Sequence, residues 1–140
     1  MQEQWIRWEP IVGFEGKHDI KSLIIESNEL FIELYPDSGK KHFQVEFIFR
    51  MCDAYRETTE CFRIGLFHEL SENYPQGFYG NWTFFKVLNS RYLAWLIRGS
   101  QIDLVKNNNY IHFCLMGDDS VVDIISCCEP IVKVVDTSNN

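Results

Sequence analysis

Residues 21–50, KSLIIESNELFIELYPDSGKKHFQVEFIFR, constrain the fold of this chain more than any other stretch. Phe43, Val45, Phe47 and Phe49 alternate with His42, Gln44 and Glu46. A period of two sends successive side chains to opposite faces of a strand. Upstream, residues 23–26 and 30–35 read as two more strands, joined by a tight turn at Ser27-Asn28. Pro36-Asp37-Ser38-Gly39 marks the next turn, with proline and glycine where turn geometry favours them. Three strands in succession make an antiparallel meander with one buried and one partly wet face.

The other dense pattern is GNWTFFKVLNSRYLAWLIRGS, residues 80–100. Residues 82–88 have the aromatic and β-branched content of a strand. Asn89 or Ser90 can cap a helix by accepting backbone N–H bonds from its first turn. Residues 92–97 then read as helical, with Gly99 placed to end the helix in a left-handed conformation. Leu88, Tyr92, Trp95 and Leu96 share one face, Leu93 and Ile97 widen it, and only Arg91, Ala94 and Arg98 suit solvent. A helix this apolar is expected to lie against a sheet. Phe43, Val45, Phe47, Phe49, Trp82, Phe84, Tyr92, Trp95 and Leu96 are therefore the expected core.

Residues 61–70 are ambiguous between helix and strand: Phe62, Leu66 and Leu70 recur at helical spacing, but Gly65 opposes a helix. YIHFCLMGDDSVVDIISCC reads as a hairpin turning at Gly117-Asp118-Asp119. A last short edge strand begins after Pro130, and residues 137–140 form a polar tail expected to fray. With no internal repeat or linker, the expectation is one α+β domain over residues 1–140. It is mainly an antiparallel sheet of about five to seven strands, with one or two helices on one face.

Composition narrows the function. A chain of 140 residues, 46% hydrophobic, can bury a core without disulfides or metals to staple it. Its apolar runs are far shorter than the roughly 18 residues of a membrane span. MQEQWIRWEP lacks the basic and apolar segments of a secretory signal, so the cytoplasm is the expected compartment. Five cysteines, an odd number, fit reduced thiols there. A net charge of −7 argues against nucleic acid, whose binding rests on cationic neutralisation of phosphates, and suits a basic partner.

Motifs for chemistry are missing. Cys61 with His68, and Cys127-Cys128, are the only candidate zinc ligands, and neither has zinc-site spacing. His112 and Cys114 share one strand face, but the sequence identifies no third group to orient them. Glu57 and Glu60, near Asp53 and Arg56, read as a solvated loop. The glycines form no phosphate-binding loop, and no cofactor or metal is implied. The functional signal is acidic. Glu33, Glu46 and Asp123 lie within expected strands, where some of them share an outer face. With Glu57 and Glu60 they are the candidate partner-binding residues.

NWTFFKVLNSRYLAWLIRGS, HFCLMGDDSVVDIISCCEPIVKVV, WEPIVGFEGKHDIKSL and AYRETTE together resemble small cytosolic proteins of Bacillus-like bacteria. Those proteins are similar to immunity proteins encoded beside large secreted toxins. The resemblance covers most of the chain but carries no catalytic signature and no established functional residues. It implies an antitoxin that occludes a basic toxin domain by surface complementarity. The alternative is a small-molecule binder or enzyme with a pocket between the helix of residues 89–99 and the sheet.

Overall fold

The computed structural model describes residues 2–37, 43–101 and 109–138. Among these, nine strands and two helices follow in the order β1 (Gln4–Arg7), β2 (His18–Glu26), β3 (Glu29–Pro36), β4 (Phe43–Phe49), β5 (Ala54–Thr59), α1 (Ile64–Asn73), β6 (Phe84–Leu88), α2 (Arg91–Arg98), β7 (Ile111–Met116), β8 (Ser120–Ser126) and β9 (Ile131–Asp136). A short 3-10 turn, Glu60–Phe62, precedes α1. The strands form two antiparallel sheets, one ordered β1-β6-β7-β8-β5 and the other β2-β3-β4-β9. The architecture is α+β and mostly sheet, as the patterning predicts.

The meander forms as read. Ser27 and Asn28 both have positive φ, 49° and 68°, which gives the mirror-image turn whose twist matches a tight hairpin. Leu30, Ile32 and Leu34 of β3 and Val45, Phe47 and Phe49 of β4 are all buried. They meet Phe84, Phe113, Leu115, Val122 and Ile124 of the five-stranded sheet, and Trp8 fills the space among Phe47, Phe84 and Phe113. The other face of the five-stranded sheet carries Phe85, Val87, Cys114, Met116 and Val121, covered by Leu66, Phe67 and Leu70 of α1 and by Tyr74, Phe78 and Tyr79. The result is three layers: four-stranded sheet, five-stranded sheet, helices. Central strands β7 and β8 are buried on both faces, whereas the outer face of the four-stranded sheet has no layer over it among the described residues.

Local signals resolve the remaining elements. Ser90 caps α2, its Oγ accepting the Leu93 N–H at 3.0 Å. Residues 64–73 are helical despite Gly65, which occupies the first turn, where a glycine breaks no established hydrogen-bond ladder. The hairpin turns at Gly117-Asp118-Asp119, with the Gly117 N–H on the Ser120 carbonyl at 2.9 Å. Gly117 also lies against β2, where an added Cβ would sit 3.0 Å from Ile20. β9 begins after Pro130 as an edge strand, but it pairs with β4 in the other sheet, away from β8.

Four expectations need correction. Among the described residues there are nine strands, not five to seven. The additional ones, β1 and β5, are short, polar and at sheet edges, so they lack the alternation that marks a half-buried strand. Gly99 ends α2 with an ordinary φ of −87°. Phe43, Trp82 and Leu96 are only half-buried. Trp95 is outside the core altogether, with 62% of its surface exposed. α2 is two turns long and meets the sheet through Tyr92, Leu93, Leu96 and Ile97, a footprint too narrow to cover its whole apolar circumference. Ser38 and Gly39 of the expected turn, His42, and the last two tail residues lie outside the described residues.

Burial divides the aromatics by energy. Phe84→Ala removes a ring packed by Trp8, His18, Phe47 and Trp82, and a loss of about 3–5 kcal/mol is expected. Trp95→Ala is expected to change stability by no more than about 0.5 kcal/mol. Urea denaturation of both variants checks the contrast; equal losses would put Trp95 back in the core.

Candidate functional site

The five candidate acids do not form one surface. Register sets Glu33 of β3 directly opposite Glu46 of β4, and Glu46 in turn opposite Lys133 of β9. These side chains share the outer face of the four-stranded sheet, where Gln44 Nε2 donates to Glu46 Oε1 at 3.1 Å. One row away, Ile24, Phe31, Ile48 and Ile131 are successive cross-strand partners on the same face, half-buried or exposed. Glu57 and Glu60 are exposed elsewhere, on edge strand β5 and at the 3-10 turn. Asp123 is the correction: it has no exposed surface and cannot meet a partner. β8 is packed on both faces, by the four-stranded sheet on one and the helix layer on the other, and Asp123, opposite Cys114, points to the helix side.

There Asp123 anchors a buried polar relay that sequence reading missed. Its Oδ1 accepts from His112 Nε2 at 2.6 Å. Its Oδ2 accepts from Arg56 Nε and Arg63 Nη1, both at 2.8 Å. His112 Nδ1 in turn meets Ser90 Oγ at 2.7 Å. Because the carboxylate can only accept, Nε2 carries the proton toward it. Ser90 Oγ, paired with Nδ1, also accepts the Leu93 N–H, so the serine, the imidazole and the carboxylate all have partners. Burial alone would raise the pKa of Asp123. The His112 hydrogen bond and the charges of His112, Arg63 and Arg56 outweigh it and hold the carboxyl well below its usual range.

Ser90, His112 and Asp123 form the sequence of contacts used by nucleophilic hydrolases, but the chemistry of this arrangement is that of a brace. The Ser90 hydroxyl is nearly enclosed and engaged as a helix cap. Two guanidiniums on Oδ2 draw the carboxylate's charge away from the imidazole. The first amide of α2, Arg91 N–H, donates to Glu3 Oε2 at 2.8 Å and is not free to hold an oxyanion. Cys114, on the same face as His112, is fully buried, and burial pushes its thiol well above the usual value. Its thiol lies beside Asp123, directly opposite it across the two strands, and the carboxylate adds to that shift. His68 pairs with Glu72 at 3.0 Å, and among the described residues no group of three His, Cys, Asp or Glu side chains could hold a metal ion.

Among the described residues, several depressions flank α2. One, of about 230 Å³, is lined by Ala54, Leu93, Leu96, Ile97, Tyr110 and Ile125, in the position the sequence suggests for a pocket. A second, of about 340 Å³, has Arg56, Arg63, Tyr92 and Trp95 on its walls, with Glu3, Glu69 and Arg91. Comparisons with family models, curated proteins and solved structures find no match.

The relay makes a stability prediction with a pH signature. Asp123→Asn leaves the Arg56 and Arg63 charges unmatched against a buried site, and a loss of about 3–5 kcal/mol is expected at neutral pH. The parent's carboxyl titrates below its ordinary 3.8 when folded. Its contribution is therefore complete above about pH 4 and fades as pH falls through the folded-state value. Urea midpoints at pH 7 and pH 3 test this: the gap between parent and variant should narrow at pH 3, and a constant gap contradicts it.

Proposed function

We propose that this chain is a non-catalytic protein-binding module, an immunity protein that neutralises a basic toxin domain through the outer face of its four-stranded sheet. The observation that carries the reading is the Glu33–Glu46 pair. Like charges directly opposite across two strands destabilise a sheet, by up to about 1 kcal/mol. Folding gains nothing from that juxtaposition, and Lys133 offsets it from one side only. A cationic partner would relieve it. The neighbouring row of Ile24, Phe31, Ile48 and Ile131 supplies apolar area beside the acids, the mixture that an interface core and its charged flank require. The net charge of −7 favours approach to a basic surface at long range. Occlusion needs no catalytic group, and the serine, histidine and aspartate of the relay are enclosed.

A second reading, a small-molecule binder, draws on the depression of about 230 Å³ between α2 and the sheet. It is somewhat below the roughly 300 Å³ at which drug-sized pockets begin. Mass spectrometry of an organic extract from the purified protein separates the readings, since only the second expects a retained compound.

The test of the first reading is kinetic. Association with the basic toxin domain proposed as partner is measured against ionic strength, for parent and for Glu33→Lys/Glu46→Lys. At low salt the parent should associate about tenfold or more faster, and the two should converge as salt screens the charges. Equal rates at every salt concentration would sink the acidic-face mechanism. No binding by either protein would sink the antitoxin reading.

A further inference from the structure

The relay leaves a pair of arginines incompletely used, and they face a cleft. Arg56 and Arg63 converge on the same carboxylate oxygen, each through one nitrogen, and Arg63 Nη1 also donates to Thr58 Oγ1 at 3.2 Å. The two terminal nitrogens of Arg56, and Nε and Nη2 of Arg63, have no acceptor among the described residues. Both side chains line the cleft of about 340 Å³. Arg56 remains 44% exposed, so its unused donors are accessible.

The same cleft offers a flat apolar wall. The Arg56 guanidinium lies over the Tyr92 ring, 4.1 Å from its centroid, which fixes the plane of the fork. Trp95 runs nearly parallel to Tyr92, at an interplanar angle of 19° and a centroid distance of 6.3 Å. Its exposure is unusual for the largest apolar side chain of a short helix, and the relay gives it no structural duty. The carboxylates on the cleft are already engaged: Glu69 pairs with Arg91, and Glu3 accepts from the Arg91 amide and from Trp5 Nε1. Three guanidiniums and two carboxylates line the cleft, and the buried Asp123 beneath Arg56 and Arg63 brings the charges level, so the attraction for an anion comes from directed donors more than from a net field.

We propose that this cleft binds a small planar aromatic molecule bearing a carboxylate or phosphate. Arg56 and Arg63 take the oxyanion, two oxygens matching the guanidinium fork, and Trp95 takes the ring. Arg56 is the specificity residue because its geometry is preset on both sides: Asp123 holds Nε and Tyr92 holds the plane. Arg63, with only 14% of its side chain exposed, backs it from below. This site is separate from the acidic face, since α2 lies on the far side of the five-stranded sheet from the outer face of the four-stranded one.

Phenyl phosphate, inorganic phosphate and phenol serve as probes, with binding followed by NMR of the Trp95 indole N–H and the arginine Nε–H signals. Phenyl phosphate should shift both the Trp95 and Arg56 signals and bind at least tenfold more tightly than phosphate or phenol alone. Arg56→Gln, which leaves Arg63 on Asp123, should weaken it about tenfold. Trp95→Ala, at an exposed position, should leave the fold intact and reduce phenyl phosphate to the affinity of inorganic phosphate. The proposal is overturned if phenyl phosphate shifts neither signal, if it binds parent and Arg56→Gln alike, or if Trp95→Ala leaves its advantage over phosphate unchanged.

Discussion

A carboxylate without solvent must be compensated from within, and Asp123 imposes that condition on the whole helix side of this molecule. His112 answers it from β7, Arg56 from β5, and Arg63 from the turn entering α1. His112 passes the constraint to Ser90, and Ser90 fixes the first turn of α2. One charge therefore sets the positions of two strands and two helix starts that are distant in sequence. Apolar packing of Phe85, Met116 and Leu70 could hold these layers together with some freedom to slide, but the directed bonds of the relay cannot tolerate it.

The same condition shapes the surface. Arg56 and Arg63 are held where Asp123 needs them, and their remaining donors are thereby delivered to a cleft walled by Tyr92 and Trp95. On the opposite side of the molecule the four-stranded sheet turns only its inner face to the core. Its outer face combines an apolar row with the Glu33–Glu46 pair, a combination that neither solvation nor folding requires. The molecule thus has two unlike exterior regions separated by its buried central sheet.

The meander was legible because its strands alternate and their turns are local. Ser27-Asn28, the Ser90 cap and the Gly117-Asp118-Asp119 hairpin each depend on a few adjacent residues, and each appears as read. Pairings between distant segments were not legible: nothing near β1 announces β6, and nothing near β9 announces β4. The relay was within reach. A turn at residues 117–119 sets Cys114 opposite Asp123, which puts Asp123 on the face of His112 and Cys114. The near-continuous apolar runs IHFCLM and SVVDIIS mark strands covered on both faces, so an acid inside one should be a paired, buried charge. Trp95 misled for the opposite reason. Periodicity reports which residues share a helix face, but not how wide a footprint the sheet beneath provides.

The central functional claim is that a partner sits on the outer face of the four-stranded sheet. Methyl NMR of the isoleucines during titration with the basic toxin domain proposed as its partner tests it most directly. The account predicts that Ile24, Ile48 and Ile131, in the row beside Glu33 and Glu46, shift or broaden together, while Ile97 of α2 and the core methyls of Ile32 and Ile124 keep their positions. Perturbation centred on Ile97, with the outer row unchanged, would contradict it and move the binding surface to α2.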